Sequence, residues 1–213
     1  PDERGIDVAL MYIPSSFSPL RSYPIRIRPV PGMRPTRDIL YVSGLVSMVD
    51  TLHVLVVHAP SRRGGETASR PYRLQVARQM SETIDSIFTY DRDARIIVAG
   101  DFNDYSESPA LQMLCDGSRL VEVSRDATGR HGAEATYRWR GEWRSLDHVL
   151  CSQTVARCSV ACYIGDLPFL LEEDERYGGF HPWRSFLGPR YQGGYSDHLP
   201  LVFRFHLNDN SVK

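Results

Sequence analysis

Long apolar runs are missing from this chain of 213 residues. No stretch approaches the roughly 18 consecutive apolar residues that a membrane-spanning helix needs, so no such span is expected. Net charge is missing too, since 25 Lys and Arg stand against 26 Asp and Glu, leaving −1 with histidine neutral. No global basic field draws the chain to nucleic acid, although a local basic patch stays open. Cysteine is scarce: Cys115, Cys151, Cys158 and Cys162 are all there are, and no two stand as C-x-x-C. Neither a zinc site nor a thioredoxin-type redox pair fits that spacing, and the four read as small buried thiols. Repeats and low-complexity tracts are also absent, so no repeat architecture is expected. An initiator Met is absent as well. An upstream leader is therefore not excluded, and the compartment stays open, secretion and the periplasm included.

What is present is an ordinary globular mixture, 42% hydrophobic and 24% charged, long enough to bury a sizeable core. Residues 1–207 read as a single domain and 208–213 as a polar tail. "IDVALMYI", Ile6 to Ile13, reads as an opening strand. Ile39 to Val49 and Leu52 to His58 read as two more, joined by a turn at Asp50 and Thr51. From Thr67 to about Thr89, Leu74, Val76, Ala77, Met80, Ile84, Ile87 and Phe88 recur at helical spacing, with Thr67 or Ser69 as cap and Pro71 in the first turn. "RIIVAGDFND" runs as a buried strand from Arg95 and ends in oxygen-bearing side chains at Asp101, Asn103 and Asp104. Ser108 and Pro109 open a short helix. "TYRWRGEWRSLDHVL" alternates like a hairpin turning near Gly141. Ser159 to Ile164 and Leu199 to Leu207 complete the strands, and Asp166 to Gly194 reads as a long functional loop. The mixture of hairpins with one strand-helix-strand unit points to an α/β (α+β) fold, with sheets covered by helices.

Four places put acids or histidines where a strand ends or a loop begins: His58, the Asp101–Asn103–Asp104 group, Asp147–His148 and Asp197–His198. Each alone has a structural reading, as a turn-capping Asp or Asn or a satisfied half-buried histidine. Together they suit one chemistry. Carboxylates at strand ends fit a hard cation such as Mg2+, or Mn2+ in its place. A histidine beside a carboxylate fits proton transfer near neutral pH, and the arginines at 62, 63, 70 and 73 match phosphate oxygens. The shared chemistry is metal-assisted phosphoester hydrolysis. Strand alternation turns Asp147 toward such a site and Leu146 and His148 away from it, so His148 reads as structural.

"HAPS", "GDFND", "SLDHVL" and "YSDHLPL", in this order, resemble the endonuclease/exonuclease/phosphatase superfamily from Gly5 to Phe205. This is the fold of pancreatic deoxyribonuclease, of apurinic endonucleases and of the inositol-polyphosphate and sphingomyelin phosphodiesterases. "HAPSRRGG" and "GGYSDHLP" resemble a bacterial branch of nucleases and phosphatases. The resemblance implies a two-sheet β-sandwich flanked by helices. It implies that Asp101 holds and helps deprotonate the attacking water, and that Asn103 positions that water or the phosphate. It makes His198, paired with Asp147, a phosphate ligand or base, makes Asp197 a metal ligand beside Asp101, and sets His58 against the phosphate from the other side. Arg62, Arg63 and Arg73 are then candidate phosphate contacts with Asn103 and His198.

The family also carries an Asn and a principal metal-binding Glu upstream of the segment that "GIDVALMYI" resembles, and neither is matched here. The expectation is therefore a domain missing its first strand-helix-strand portion, impaired in metal binding and turnover, with an apolar edge prone to self-association. For substrate, "TYRWRGEWR" interleaves Arg138, Arg140 and Arg144 with Tyr137, Trp139 and Trp143, a pattern suited to stacking bases, although Tyr137 and Trp139 also share one strand face as core aromatics do. A nuclease or phosphodiesterase is the first expectation. A small-molecule phosphatase or a phospholipid or inositol-phosphate hydrolase comes second. A non-catalytic relative that binds a phosphate-bearing ligand comes third, and the intact acids and histidines speak against it.

Overall fold

The computed structural model describes residues 1–207 apart from 47–49, 63 and 118. The polar tail and Arg63 lie outside the described residues. The chain runs β1 (Phe17–Ile25), β2 (Ile39–Val46), β3 (Asp50–His58), α1 (Glu66–Tyr90), β4 (Arg95–Asp101), α2 (Pro109–Gln112), β5 (Leu120–Glu122), β6 (Tyr137–Trp139), β7 (Glu142–Arg144) and β8 (Asp147–Ser152). Then follow α3 (Gln153–Ala156), β9 (Ser159–Ile164), β10 (Leu171–Glu173), β11 (Phe180–Pro182), β12 (Phe186–Leu187), β13 (Arg190–Tyr191) and β14 (Leu201–Phe205).

One large sheet has the order β1-β2-β3-β4-β8-β5. Only β3 and β4 run parallel, and α1 makes the crossover that a parallel pair needs. Alternation splits the sheet's side chains between two cores. Leu55, Val57, Ile96, Val98 and Leu150 face α1, which buries Val76, Ala77, Met80, Ile84 and Phe88 against them. Leu52, Ile97, Val149 and Cys151 face the other way, toward Leu201, Phe203 and Phe205 of the β9–β14 pair. The molecule is thus a two-sheet sandwich with helices outside.

Several expectations need correction. Ile6 to Ile13 forms no strand; Met11 and Ile13 stay exposed, because none of the described strands pairs with them. β1 takes the edge position instead, and an edge tolerates its Pro19 and Pro24, which would break a central ladder. Asp50 and Thr51 pair with Val46 and Leu45 and so belong to the strands rather than to a turn. The long helix starts at Glu66 behind Gly65, with no side-chain cap, and Ser69 instead donates its hydroxyl back to the Gly65 carbonyl at 2.8 Å. Pro71 therefore lies past the first turn. The segment 166–194 is not one open loop, since it folds into two small hairpins, β10–β11 and β12–β13. The short helix at Pro109 is capped as expected, with Ser108 Oγ accepting from Leu111 N.

Candidate active site

Three strand ends meet in register. His58 of β3 pairs with Asp101 of β4, and Asp101 pairs with Asp147 of β8. In each strand these residues share the parity of the sandwich-facing side chains Val54, Ala99 and Val149, so all three emerge on one face at one end of the sheet. Gly100 lets the strands close up. Its φ is 143°, and a Cβ there would lie 1.9 Å from the Val57 carbonyl oxygen. Gly100→Ala is therefore expected to destabilise the fold by about 3 kcal/mol or more. Thermal unfolding measures it, and a midpoint within about 2 °C of the parent would refute the steric argument.

His198 arrives from the segment before β14. A bridge between Tyr137 and His198 and the hydrogen bond from Leu199 N to the Thr136 carbonyl at 2.7 Å fix it beside β6. Its Nδ1 lies 2.7 Å from Asp147 Oδ2. The same carboxylate oxygen accepts the Thr136 hydroxyl at 2.6 Å. An ionised carboxylate can only accept, so Nδ1 carries the hydrogen and Nε2 is left for a ligand. The ring lies against Tyr137, tilted by 42° with 4.9 Å between centroids.

Asp101 is held from its own turn. Asn103 N donates to Oδ1 at 2.7 Å, and Asn103 Nδ2 donates to Oδ2 at 3.2 Å and to the Ala59 carbonyl at 3.1 Å. Asn103 takes φ 50° to do so, a conformation that Asn tolerates better than most residues. Its amide hydrogens are thus committed to positioning Asp101 rather than to a phosphate. His58 Nε2 stands 3.4 Å from Asp101 Oδ2, on the flank opposite His198.

The electrostatics separate Asp101, His198 and His58. Burial and the facing Asp147 carboxylate push Asp101 up to about 6. Burial also works against a charged His198, but the hydrogen bond and charge of Asp147, with Asp101 and Asp197 adding, prevail and raise it to about 9. Burial, with the positive charges of Arg37 and His198, pushes His58 down to about 4, so it is neutral at physiological pH. One imidazole is a cation, the other a neutral hydrogen-bonding ring.

Ligand atoms of Asp101, Asp147 and His198 lie within 4.8 Å of one another. Two partly buried carboxylates that repel each other are relieved by a divalent cation, and an oxygen-rich pair suits a hard one. The donor set fits. Asp197 is exposed and lies outside that cluster, although its charge acts on both Asp101 and His198.

The predicted phosphate arginines are scattered. Arg73 is 1% exposed, with Nε on Asp104 Oδ2 at 2.9 Å and Nη1 on Ser69 Oγ at 2.8 Å. It is a core residue, out of reach of a phosphate, and Asp104 is its buried partner rather than a metal ligand. Arg62 is paired with Glu66 and lies on the Tyr105 ring, 4.1 Å from its centre, at the rim. Arg138 is buried and donates to the carbonyls of Gly141, Gly178 and Phe180. His148 faces away as expected, its Nδ1 2.8 Å from Glu122 Oε1 and its Nε2 2.9 Å from the Asp104 carbonyl. Two contributors escaped the sequence reading. Thr136 stands just before the β6–β7 hairpin, opposite Asp147, a relation that the alternation of "TYRWRGEWRSLD" contains. Arg37 is buried and paired with Asp2 at 3.1 Å, and no local pattern marked it.

The sequence profile of the endonuclease/exonuclease/phosphatase family matches residues 1–207. The chain belongs to that family. Its members are phosphoester hydrolases, typically dependent on a divalent metal. No curated protein sequence matches it. Among solved structures, the human Nocturnin catalytic domain with bound sulfate is similar at TM-score 0.53 and 16% identity, over 89% of this chain and 61% of that one. A truncated Caenorhabditis elegans TDP2 gives 0.57 and 16%, over 90% and 67%. A Bacteroides vulgatus endonuclease/exonuclease/phosphatase gives 0.58 and 14%, over 91% and 67%. At these identities the likeness is one of fold, and the chain spans about three-fifths to two-thirds of these relatives. A cavity of about 560 Å³ lies elsewhere, lined by Arg138, Trp143 and Phe180 among others, and no acid or histidine of the cluster lines it. No helix among the described residues is long and apolar enough to cross a membrane.

Proposed function

We propose that this family member is a Mg2+-dependent phosphodiesterase of the nuclease type. The observation that carries the reading is the row His58–Asp101–Asp147, three strand ends in register, with His198 hydrogen-bonded onto its last member. A phosphodiester set over this row meets a cationic imidazole on one flank and a neutral one on the other. Asp101, turned by Asn103 and lifted toward neutrality, takes a proton from the attacking water. His198, held by Asp147 at Nδ1, presents Nε2–H to the leaving oxygen and gives it that proton as its bond to phosphorus breaks. His58 donates to a second phosphate oxygen. A divalent cation held by Asp101 and Asp147, with Asp197 adding negative charge from the rim, would neutralise phosphate charge and acidify a bound water.

The test is hydrolysis by the full-length protein of DNA, RNA, a small phosphodiester and a phosphomonoester, with Mg2+ or Mn2+ and with EDTA. Cleavage of a nucleic acid or of the small diester is expected, lost with EDTA and in Asp101→Asn. Turnover of the monoester alone would make the protein a phosphatase. No turnover of any substrate by a folded, metal-loaded protein would leave a phosphate-binding relative in its place.

A further inference from the structure

The hairpin face that carries Tyr137 extends beyond the catalytic cluster on both sides. Trp139, two residues along β6 on the same face, is 50% exposed. Arg184, from the link between β11 and β12, sets its guanidinium 5.7 Å from the Tyr137 ring centre and 5.8 Å from that of Trp139. Arg140 lies 5.7 Å from the Trp139 ring centre from the turn. On the other side of Tyr137 its cross-strand partner is Arg144, which reaches to 5.8 Å from the Tyr105 ring centre. Arg62 covers that same ring. Rings and cations therefore alternate along one surface line, and the line passes through the Tyr137 ring that lies against His198.

A phosphate site needs cations but no exposed rings. A strand of nucleic acid needs both, because it repeats a charge and a flat apolar face. Of the carboxylates on the line, Glu142 forms an exposed ion pair with Arg144, of small net worth, which leaves Arg144 free to exchange partners, while Glu66 holds the half-buried Arg62. We propose that Trp139, braced by Arg184 and Arg140, is a stacking subsite for the unpaired base adjoining the scissile phosphate, which makes single-stranded nucleic acid or an unpaired end the substrate. This inference rests on the phosphodiesterase reading of the site. Arg184 comes from a segment 47 residues further along the chain than Tyr137, so the subsite is assembled only by the fold.

The decisive measurement is binding without chemistry: fluorescence anisotropy of a labelled single-stranded oligonucleotide in EDTA. Trp139→Ala is expected to weaken binding roughly tenfold, with Trp139→Phe restoring most of it. Binding is expected to fall with salt and to favour single strand over duplex. The variants' thermal unfolding controls for their folding. Unchanged binding by Trp139→Ala would overturn the proposal. So would equal binding of an abasic oligonucleotide of the same length, which keeps the charge and removes the bases. Trp139-dependent capture by phosphatidylglycerol vesicles with no preference for the oligonucleotide would assign the surface to a membrane instead. Parallel hydrolysis of bis(p-nitrophenyl) phosphate with Mg2+ keeps the two readings apart. Binding retained without that turnover sinks the hydrolase and spares the subsite, and the reverse result sinks the subsite alone.

Discussion

Asp147→Asn is expected to lower kcat on any phosphodiester by roughly 10²–10⁴-fold, the range seen when a charged partner of a catalytic imidazole is neutralised. The reason lies in what Asp147 holds. Its Oδ2 fixes Nδ1 of His198 at 2.7 Å and receives the Thr136 hydroxyl. Its charge is also what lifts His198 to about 9 against the opposing effect of burial. An amide keeps an oxygen for the ring but removes the charge, so the imidazole loses its cationic form near neutral pH. A second consequence is measurable without substrate. His198 titrates higher in the fold than its ordinary 6.5, so its stabilising contribution is complete below about 6.5 and is lost as pH rises toward about 9. Thermal unfolding in EDTA should therefore show stability falling across that window in the parent, with the fall flattened in Asp147→Asn. A parent and variant with parallel pH profiles, or a variant within a few-fold of parental turnover, would detach Asp147 from His198 and sink the proposed roles together.

The pairing of Asp147 with His198 was implied by the family resemblance, and order and parity supplied only the facing of the strand residues. Strand runs ending in His58 and Asp101, and an Asp in the alternating "SLDH", place their side chains once a sheet is assumed. Strand alternation and apolar runs found β4, the β6–β7 hairpin and β9, and helical spacing found α1. It failed where packing rather than pattern decides. "IDVALMYI" is a better strand sequence than "FSPLRSYPI", yet the latter pairs with β2, because at an edge the missing N–H groups of Pro19 and Pro24 cost little. Pattern also could not tell one arginine from another. Arg62 and Arg73 both sit in a basic stretch after His58; one lies at the rim and the other in the core, a difference set by the helix face on which each falls. Arg184 was invisible for the opposite reason, since its ring contacts come from a distant hairpin.

Arg73 carries the second large effect. It lies on the buried side of α1 and is 1% exposed, and its partner Asp104 is 2% exposed. The pair spans from the helix to the turn that begins at Asp101, and the Asp104 carbonyl in turn meets His148 Nε2 at 2.9 Å. Arg73 thus ties the turn that carries Asp101 to the helix beneath it. Truncating one member of a buried ion pair leaves the other charged and unsolvated, at a cost of about 3–5 kcal/mol. Arg73→Met should lower the unfolding midpoint by roughly 6–20 °C in a chain of this size. Replacing both partners, Arg73→Met with Asp104→Leu, should recover much of that loss, because no orphaned charge remains. Activity separates anchoring from mere stability. If the pair positions the turn, the double variant stays slow at temperatures where it is fully folded. Parental turnover in that variant would show that the turn holds Asp101 through Asn103 and Ala59 alone, and a single variant as stable as the parent would show that the Asp104 charge finds another partner.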